Sequence, residues 1–204
     1  MIYDISMAIT PDMMVYKNRK EKKPLIKQVN FFEKEGNYET EITFNLHTGT
    51  HIDYPLHMIE NGLTSNTENL NVLMGKAKVF DLTHAVDKID IADIKDFNIV
   101  ENDFVIFKTK NSLSEEFDFN FIYLNEKAAN YLADKKIRGV GIDGLGIERS
   151  QEGNPTHKIL LSNNIIILEG LRLKSVEENE YELYCLPLKI KNVEASPVRA
   201  ILFK

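Results

Sequence analysis

The stretch of residues 125–142 has the sequence NEKAANYLADKKIRGVGI. Its first part predicts a helix from about Glu126 to Lys136, because Asn125 can cap the N-terminus and apolar side chains recur at helical spacing. Those side chains are Ala128, Ala129, Leu132 and Ala133. The last part, Gly139–Ile142, is a short apolar run that predicts a strand. The stretch is therefore a helix that leads into a strand.

Further strands are predicted wherever β-branched and aromatic residues cluster between turn formers. They are Thr40–Leu46, Ala77–Leu82, Phe104–Lys108, Ile165–Leu168, Tyr181–Leu186 and Val198–Phe203. A shorter helix is predicted after Asn154, with Pro155 at its first position, and helical patterns also span Ile89–Phe97 and Asn66–Met74. Many strands and few helices indicate an α/β fold at the boundary with α+β, with a mixed β-sheet core and helices on its surface.

Composition and charge narrow the classes of function. The 204 residues are 43% hydrophobic and 27% charged, and neither a linker nor a repeat divides them, so we expect a single domain over residues 1–204. A formal charge of −6 disfavours a nucleic-acid partner. The longest apolar runs are four residues, which argues against a membrane helix and a secretory signal. The single cysteine, Cys185, favours a reducing cytoplasm and is expected to be a small buried residue.

The sharpest change in composition is the lysine-rich segment Lys17–Lys23. Glu21 interrupts it and Pro24 follows it, a pattern typical of a solvated loop rather than of a recognition arm. We therefore expect these lysines to face solvent.

Histidines are concentrated in one segment. Three of the five in the chain, together with an aspartate, fall within the eleven positions from His47 to His57, where the sequence is HTGTHIDYPLH. Imidazole and carboxylate are the ligands that zinc and similar divalent ions prefer, and a catalytic ion needs several of them around one point with a position left for water. Taken singly, each histidine would be expected to pack, hydrogen-bond or face solvent. Together they predict a metal or catalytic site.

The local sequence also indicates how these side chains could converge. Gly49 and Pro55 argue against a helix, and a strand with a tight, glycine-containing loop is the alternative. Such a loop would curl His47, His51 and Asp53 around one point.

Residues 47–57 resemble the His-x-Gly-Thr-His-x-Asp-x-Pro-x-His signature of the cyclase family, which includes bacterial kynurenine formamidases and isatin hydrolases. Other segments resemble the family in the same order along the chain. They are Tyr3-Asp4-Ile5-Ser6, Gly139-Val140-Gly141-Ile142-Asp143, the pair His157 and Glu169, and Pro197-Val198-Arg199-Ala200. The resemblance covers nearly the whole chain and implies the family's swivelling β/β/α-like fold.

The resemblance implies a set of metal ligands. His47, His51 and Asp53 would bind a first metal, while His157 and Glu169 would join Asp53 around a second metal or complete a single-metal site. The implied cofactor is a divalent ion, zinc or manganese, with one or two per subunit.

Two further roles are implied by the resemblance. His57 would be the catalytic proton-transfer residue, and Tyr16 would line the substrate pocket. From the residues alone, Tyr16 would be a packed or surface aromatic, Glu169 would form a salt bridge to lysine or arginine, and His157 would lie on the surface. His84 matches no motif and is expected on the surface.

The implied activity is that of a metal-dependent amidohydrolase acting on carbon–nitrogen bonds other than peptide bonds. Hydroxide generated at the ion would attack an amide carbonyl, and His57 would accept the proton and deliver it to the leaving amine. The leading substrate is an aryl formamide such as N-formylkynurenine, an intermediate of tryptophan catabolism. The alternatives are a cyclic amide or imide such as isatin, and a non-catalytic protein that binds a small molecule at the metal.

Two segments depart from the family pattern. The lysine-rich segment after Tyr16 replaces a Gly-Asp-Pro type of turn, and Leu145 and Gly146 replace an Asp-Thr-Pro-Ser-like stretch. These departures concern the substrate pocket and leave the metal ligands intact. The resemblance also implies a homodimer or higher homo-oligomer, in which a neighbouring subunit helps to close the pocket.

Overall fold

The computed structural model describes residues 1–67 and 69–204. Its strands are β1 (Ile2–Asp4), β2 (Leu25–Asn30), β3 (Glu39–Thr43), β4 (His51–Asp53), β5 (Met74–Asp81), β6 (Lys88–Ile89), β7 (Phe104–Lys108), β8 (Tyr123–Leu124), β9 (Gly139–Ile142), β10 (Ile166–Glu169), β11 (Asn179–Pro187) and β12 (Ala195–Phe203). Its helices are α1 (Phe32–Glu35), α2 (Ile91–Ile94), α3 (Glu126–Asp134) and α4 (Pro155–Ser162). Short 3₁₀ turns at Tyr16–Asn18, Lys20–Lys22, Pro55–His57, Ser65–Thr67, Leu70–Leu73 and Lys110–Leu113 join some of them.

An eight-stranded mixed sheet forms the centre of the fold, in the order β1-β12-β11-β5-β7-β9-β10-β4. The strands β5, β7, β9 and β10 run parallel, and the others join antiparallel. The strand β4 pairs with β10 along one edge and with β12 along the other. Through β4 the sheet therefore closes on itself. The hairpin β2–β3 and the short pair β6–β8 lie outside this sheet.

The strands β7 and β9 are apolar along almost their whole length because both of their faces are buried. In β7, Val105 and Phe107 point outward and pack with the buried residues of α3 and α4, such as Leu132 and Leu160. The alternate residues of β7 point to the inner face and pack with the apolar residues of β11 and β12. The closed sheet thus has one core inside it and one beneath its helices.

The predicted fold class is confirmed, and several elements match closely. The strands Phe104–Lys108 and Gly139–Ile142 have the predicted bounds. The helix α3 begins at Glu126, where the Asn125 side chain accepts a hydrogen bond from the Ala128 N–H at 2.9 Å, and it ends two residues before the predicted Lys136. The helix α4 begins at Pro155 as predicted.

Other predicted elements are wrong in extent or type. The strand predicted over Thr40–Leu46 is Glu39–Thr43, and it pairs only with β2, which the sequence did not identify as a strand. The helix predicted over Ile89–Phe97 is a single turn, Ile91–Ile94, because residue 89 pairs with β8. The helix predicted over Asn66–Met74 includes residue 68, which lies outside the described residues. The described flanking residues form 3₁₀ turns, and Met74 begins β5.

Smaller expectations are met. Cys185 is fully buried in β11, and His84 is exposed. Among the described residues, no helix is both long and apolar enough to cross a membrane.

Candidate metal centre and substrate pocket

Strand register brings three of the predicted residues together. His51 and Asp53 lie two residues apart on β4, so both point to one face, while Ile52 points to the other face and is buried in the inner core. The antiparallel pairing of β4 with β10 puts His51 directly opposite Glu169. As a result, His51 Nε2 lies 3.4 Å from Glu169 Oε2 and 3.5 Å from Asp53 Oδ1.

The loop before β4 carries His47. It turns at Gly49, which has a φ of +65°, and the Thr50 hydroxyl fastens it by donating a 2.7 Å hydrogen bond to the carbonyl oxygen of Gly170. This loop folds the imidazole back, so that His47 Nδ1 lies 3.0 Å from Asp53 Oδ1. The three side chains that the motif predicts to converge do lie together.

His157 reaches the same point from the first turn of α4. Its Nε2 atom lies 3.5 Å from Glu169 Oε1 and 4.0 Å from Asp53 Oδ2. His157 is buried, so the surface position expected from the residues alone is wrong. No lysine or arginine of the described residues lies within 4 Å of the Glu169 carboxylate, which faces His51 and His157 instead. The salt bridge expected from the residues alone is therefore also wrong.

His57 lies beside this cluster in the 3₁₀ turn Pro55–His57. Its ring centre is 4.2 Å from that of His47 and 5.6 Å from that of His157. Burial lowers the pKa of His57 below its usual value, and the nearby histidines His47 and His157 lower it further. Near neutral pH this imidazole is therefore uncharged and able to accept a proton.

The pKa values of the other ionisable groups show that the site stabilises protonated histidines. Burial alone would lower the pKa of His51 and of His157, but the neighbouring carboxylates outweigh burial and raise these values to about 9 and about 10. Burial would likewise raise the pKa of Glu169, yet His157 and His51 hold it well below its usual range. The buried carboxylates of Glu169 and Asp53 thus remain ionised as long as cations face them.

The donor set fits a divalent ion. His51 Nε2 and both carboxylate oxygens of Asp53 are buried and have no hydrogen-bond partner among the described residues, an arrangement that is costly unless another group binds these atoms. Two overlapping groups have ligand atoms within 4.8 Å of one another. They are His47, Asp53 and His57, and His51, Asp53 and Glu169. Imidazole nitrogen with carboxylate oxygen is the ligand chemistry of zinc and of manganese.

The tautomers of two histidines are fixed from outside the cluster. His51 Nδ1 lies 2.9 Å from the Gly49 carbonyl oxygen, and His157 Nδ1 lies 2.7 Å from Glu148 Oε2. Each acceptor holds a proton on Nδ1, so Nε2 is the nitrogen that faces Asp53 and Glu169 and that can bind a metal once its own proton is lost. Glu148 is a candidate site residue that the sequence did not reveal, because nothing in its spacing distinguishes it from other acidic residues.

A pocket of about 310 Å³ opens above the cluster. His51, His157 and Glu169 line its floor, and Tyr16 and Leu145 are among the residues of its wall. The structure thus places Tyr16 in the predicted pocket. Burial raises the pKa of its hydroxyl, which therefore stays protonated at neutral pH.

The wall also contains the segments that depart from the family pattern. Gly146 lies against Tyr16, since a Cβ atom on Gly146 would be 3.3 Å from Tyr16 Cε2. Tyr16 in turn makes an edge-on contact with Phe117, with ring centres 5.5 Å apart. Lys17 and Lys22 of the lysine-rich segment line the pocket as well. Lys17 is exposed, as expected. The side chains of both lysines nevertheless border the pocket in addition to bulk solvent.

Comparison with known proteins identifies the family of the chain. The model of a family described as putative cyclase matches residues 3–149. The chain is 30% identical over 211 residues to a kynurenine formamidase from Salinibacter ruber, covering 98% of this chain and 96% of that protein. For eight of the curated relatives that it matches, the chain spans 65% to 96% of their length.

Solved structures agree with the fold. A protein described as a potential metal-dependent hydrolase with cyclase activity is 52% identical, with a TM-score of 0.92 over 99% of this chain and 96% of that one. Isatin hydrolase A from Labrenzia aggregata is 22% identical, with a TM-score of 0.88 over 99% of this chain and 93% of that one. The second likeness concerns the fold alone.

Proposed function

The chain belongs to the cyclase family of metal-dependent hydrolases, and we propose that it hydrolyses an aryl formamide, with N-formylkynurenine as the leading candidate. The observation that carries this proposal is the set of buried ligand atoms on His51 and Asp53 that form no hydrogen bond to the described residues, in a cluster that borders a pocket. Its relative from Salinibacter ruber is named for such an activity. A role in tryptophan catabolism follows if N-formylkynurenine is the substrate.

Five residues would hold the metal. His47, His51 and Asp53 would bind one ion, and His157 and Glu169 would share Asp53 with a second ion or complete the site of the first. When bound, zinc or manganese polarises a carbonyl group and lowers the pKa of water from about 15.7 to about 7.

His57 is the residue that we propose moves the proton. It borders the pocket, its ring forms no hydrogen bond to another described residue, and its lowered pKa keeps it neutral near pH 7. It accepts a proton from the water that adds to the amide carbon. It then delivers that proton to the amine nitrogen as the carbon–nitrogen bond breaks, which releases formate and the arylamine.

The wall of the pocket suits an aromatic amide. Tyr16, Met58 and Leu145 offer apolar surface, and the volume of about 310 Å³ fits a single-ring compound. Ligand pockets in proteins commonly combine such walls with a few polar groups, and here the histidines and Glu169 supply polar groups on the floor.

A homodimer or a higher homo-oligomer is also part of the proposal. The β2–β3 hairpin lies outside the main sheet and exposes large apolar side chains, including Leu25, Phe32, Tyr38 and Ile42. An isolated two-stranded hairpin is only marginally stable in water, so a second copy that covers it would stabilise it. Light scattering on the purified protein tests this point.

A cytoplasmic location stays a prediction from the single cysteine.

The activity is tested with metal-free protein reloaded with zinc or manganese in parallel and supplied with N-formylkynurenine, formanilide and isatin. We expect metal-dependent hydrolysis of the two formamides. The variant His57→Ala should keep its metal content and lose about 10²- to 10⁴-fold in turnover. The matched control is His84→Ala, because His84 is exposed and lies outside the pocket.

Each other outcome has a defined meaning. Hydrolysis of isatin alone would replace the formamide with a cyclic amide as the substrate. Metal binding without hydrolysis of any of these compounds would favour a binding protein. Unchanged turnover in His57→Ala would remove His57 from the mechanism.

A further inference from the structure

Two cations at the pocket have no role in the chemistry described so far. Lys17 and Lys22 line the pocket, and their Nζ atoms lie 5.3 and 5.6 Å from the centre of the Tyr16 ring. Both ammonium groups therefore flank the same aromatic wall. Cation–π contacts at these distances position the two groups without neutralising them.

Neither ammonium has an acidic partner. Among the described residues, no carboxylate lies within 4 Å of Lys17 or Lys22, although other lysines of the chain are paired in this way. Those lysines are Lys78, Lys88 and Lys108. In a chain of net charge −6, two cations that line one pocket without an acidic partner leave a local positive charge that an anion could neutralise.

The backbone conformation fixes the positions of Lys17 and Lys22. Two consecutive 3₁₀ turns carry them, and Lys17 has a φ of +58°, a conformation that is unfavourable for a residue with a side chain. The chain just before these turns is anchored by the buried side chains of Met13 and Val15. The lysine-rich segment is thus held at the pocket and is not a free tail.

The floor of the pocket carries negative side chains, whereas the wall near Tyr16 carries positive ones. Asp53, Glu169 and Glu148 place three carboxylates in or next to the floor. Even when cations balance these three side chains, a carboxylate on a substrate is more stable away from them. Its favoured position is next to a cation. The wall that carries Lys17 and Lys22 offers that position.

We propose that Lys17 and Lys22 form a subsite for a carboxylate on the substrate, which makes the preferred substrate an anionic aryl amide. This inference rests on the proposed amide hydrolysis and adds the charge of the substrate to it. Lysine suits such a subsite because its ammonium is a compact point charge on a flexible stem that can reach a carboxylate in several ring positions.

The test compares charged and neutral substrates of the same shape. Metal-loaded protein is given the ortho, meta and para isomers of formamidobenzoate and the corresponding formamidobenzamides, in which a neutral amide replaces the carboxylate. The double variant Lys17→Gln/Lys22→Gln is compared with Lys20→Gln/Lys23→Gln. The control removes the same charge from the same segment at two exposed lysines that do not line the pocket.

We expect the pocket variant to raise KM for at least one formamidobenzoate by about tenfold, with kcat nearly unchanged and the benzamides unaffected. The control variant should behave like the wild type. For the wild type, raising the ionic strength from about 0.01 M to about 1 M shortens the Debye length from about 30 Å to about 3 Å, so KM for the benzoate alone should rise. Equal KM values for benzoates and benzamides in all three proteins would overturn the proposal.

A second measurement separates this subsite from the proposed function. If no formamide is hydrolysed, the proposed function fails, and binding of benzoate and of benzamide to the metal-loaded protein is measured by calorimetry. Weaker benzoate binding in the pocket variant but not in the control variant would still support the subsite. Equal benzoate binding in both variants would exclude it.

Discussion

Glu148 contacts His157 on the side of the imidazole that faces away from Asp53 and Glu169. Glu148 Oε2 accepts a 3.1 Å hydrogen bond from the backbone N–H of His157 and lies 2.7 Å from its Nδ1 atom. The other oxygen accepts a 2.8 Å hydrogen bond from Gln151 Nε2. Both oxygens are thus committed, and the imidazole of His157 can present only Nε2 to the site.

The first prediction concerns this residue. Glu148→Ala should weaken metal binding about 10- to 100-fold, because the ring of His157 loses both its fixed tautomer and its fixed orientation. A competition titration with a chromogenic chelator measures the affinity, and Glu148→Asp should recover part of it. Glu152→Ala is the control, since Glu152 is an exposed acidic residue of the same loop. Wild-type affinity in Glu148→Ala would show that His157 needs no such support or is not a ligand.

At the scale of elements, the site depends on a close approach between two chain segments. The loop that carries His47 meets the end of β10 at Gly170, where φ is +70° and a Cβ atom would lie 2.4 Å from the Gly49 carbonyl oxygen. Gly170 immediately follows Glu169. Any side chain at this position would therefore push the His47 loop away from the proposed ligands on β4 and β10.

The second prediction follows from that contact. Gly170→Ala should lower the free energy of unfolding by about 3 kcal/mol or more, because it adds a steric clash to the cost of a left-handed backbone. Gly153→Ala is the matched control, since Gly153 has a φ of +77° but nothing within 4 Å of its Cβ position. The control should lose only about 1 kcal/mol. Urea denaturation measures both, and equal losses would show that the two segments separate easily.

At the scale of the whole molecule, the metal would join parts of the chain that are far apart in sequence. Its proposed ligands lie on β4, on β10, at the start of α4 and on the loop before β4. The strand β4 is also the element that closes the sheet between β10 and β12. Removal of the metal should therefore loosen the closure of the sheet as well as the pocket.

The third prediction is that a chelator destabilises the protein. At a free metal concentration about 100 times Kd, the bound ion contributes about 2.7 kcal/mol, so its removal should lower Tm by about 5–10 °C. Differential scanning calorimetry measures the shift, and added zinc or manganese should reverse it. Asp53→Asn is the control, because Asp53 belongs to both candidate ligand groups and its loss should abolish the response to the chelator. A wild-type Tm that the chelator leaves unchanged would argue against metal binding at this site.

The elements whose signals are local could be predicted from the sequence. The continuous apolar runs of β7 and β9 predict strands because both of their faces are buried, and the cap at Asn125 predicts the start of α3. The motif at residues 47–57 likewise predicts that His47, His51 and Asp53 lie together, since a single loop and a three-residue strand carry them.

The contacts between distant segments could be identified only in the folded structure. The β2–β3 hairpin, the closure of the sheet through β4 and the ring orientation imposed by Glu148 depend on partners that no local pattern specifies. The same is true of Lys17 and Lys22, which read as solvated residues and yet line the pocket. The physical reason is that side-chain spacing encodes which face of an element is buried, whereas strand register and loop packing depend on the energy of the whole fold.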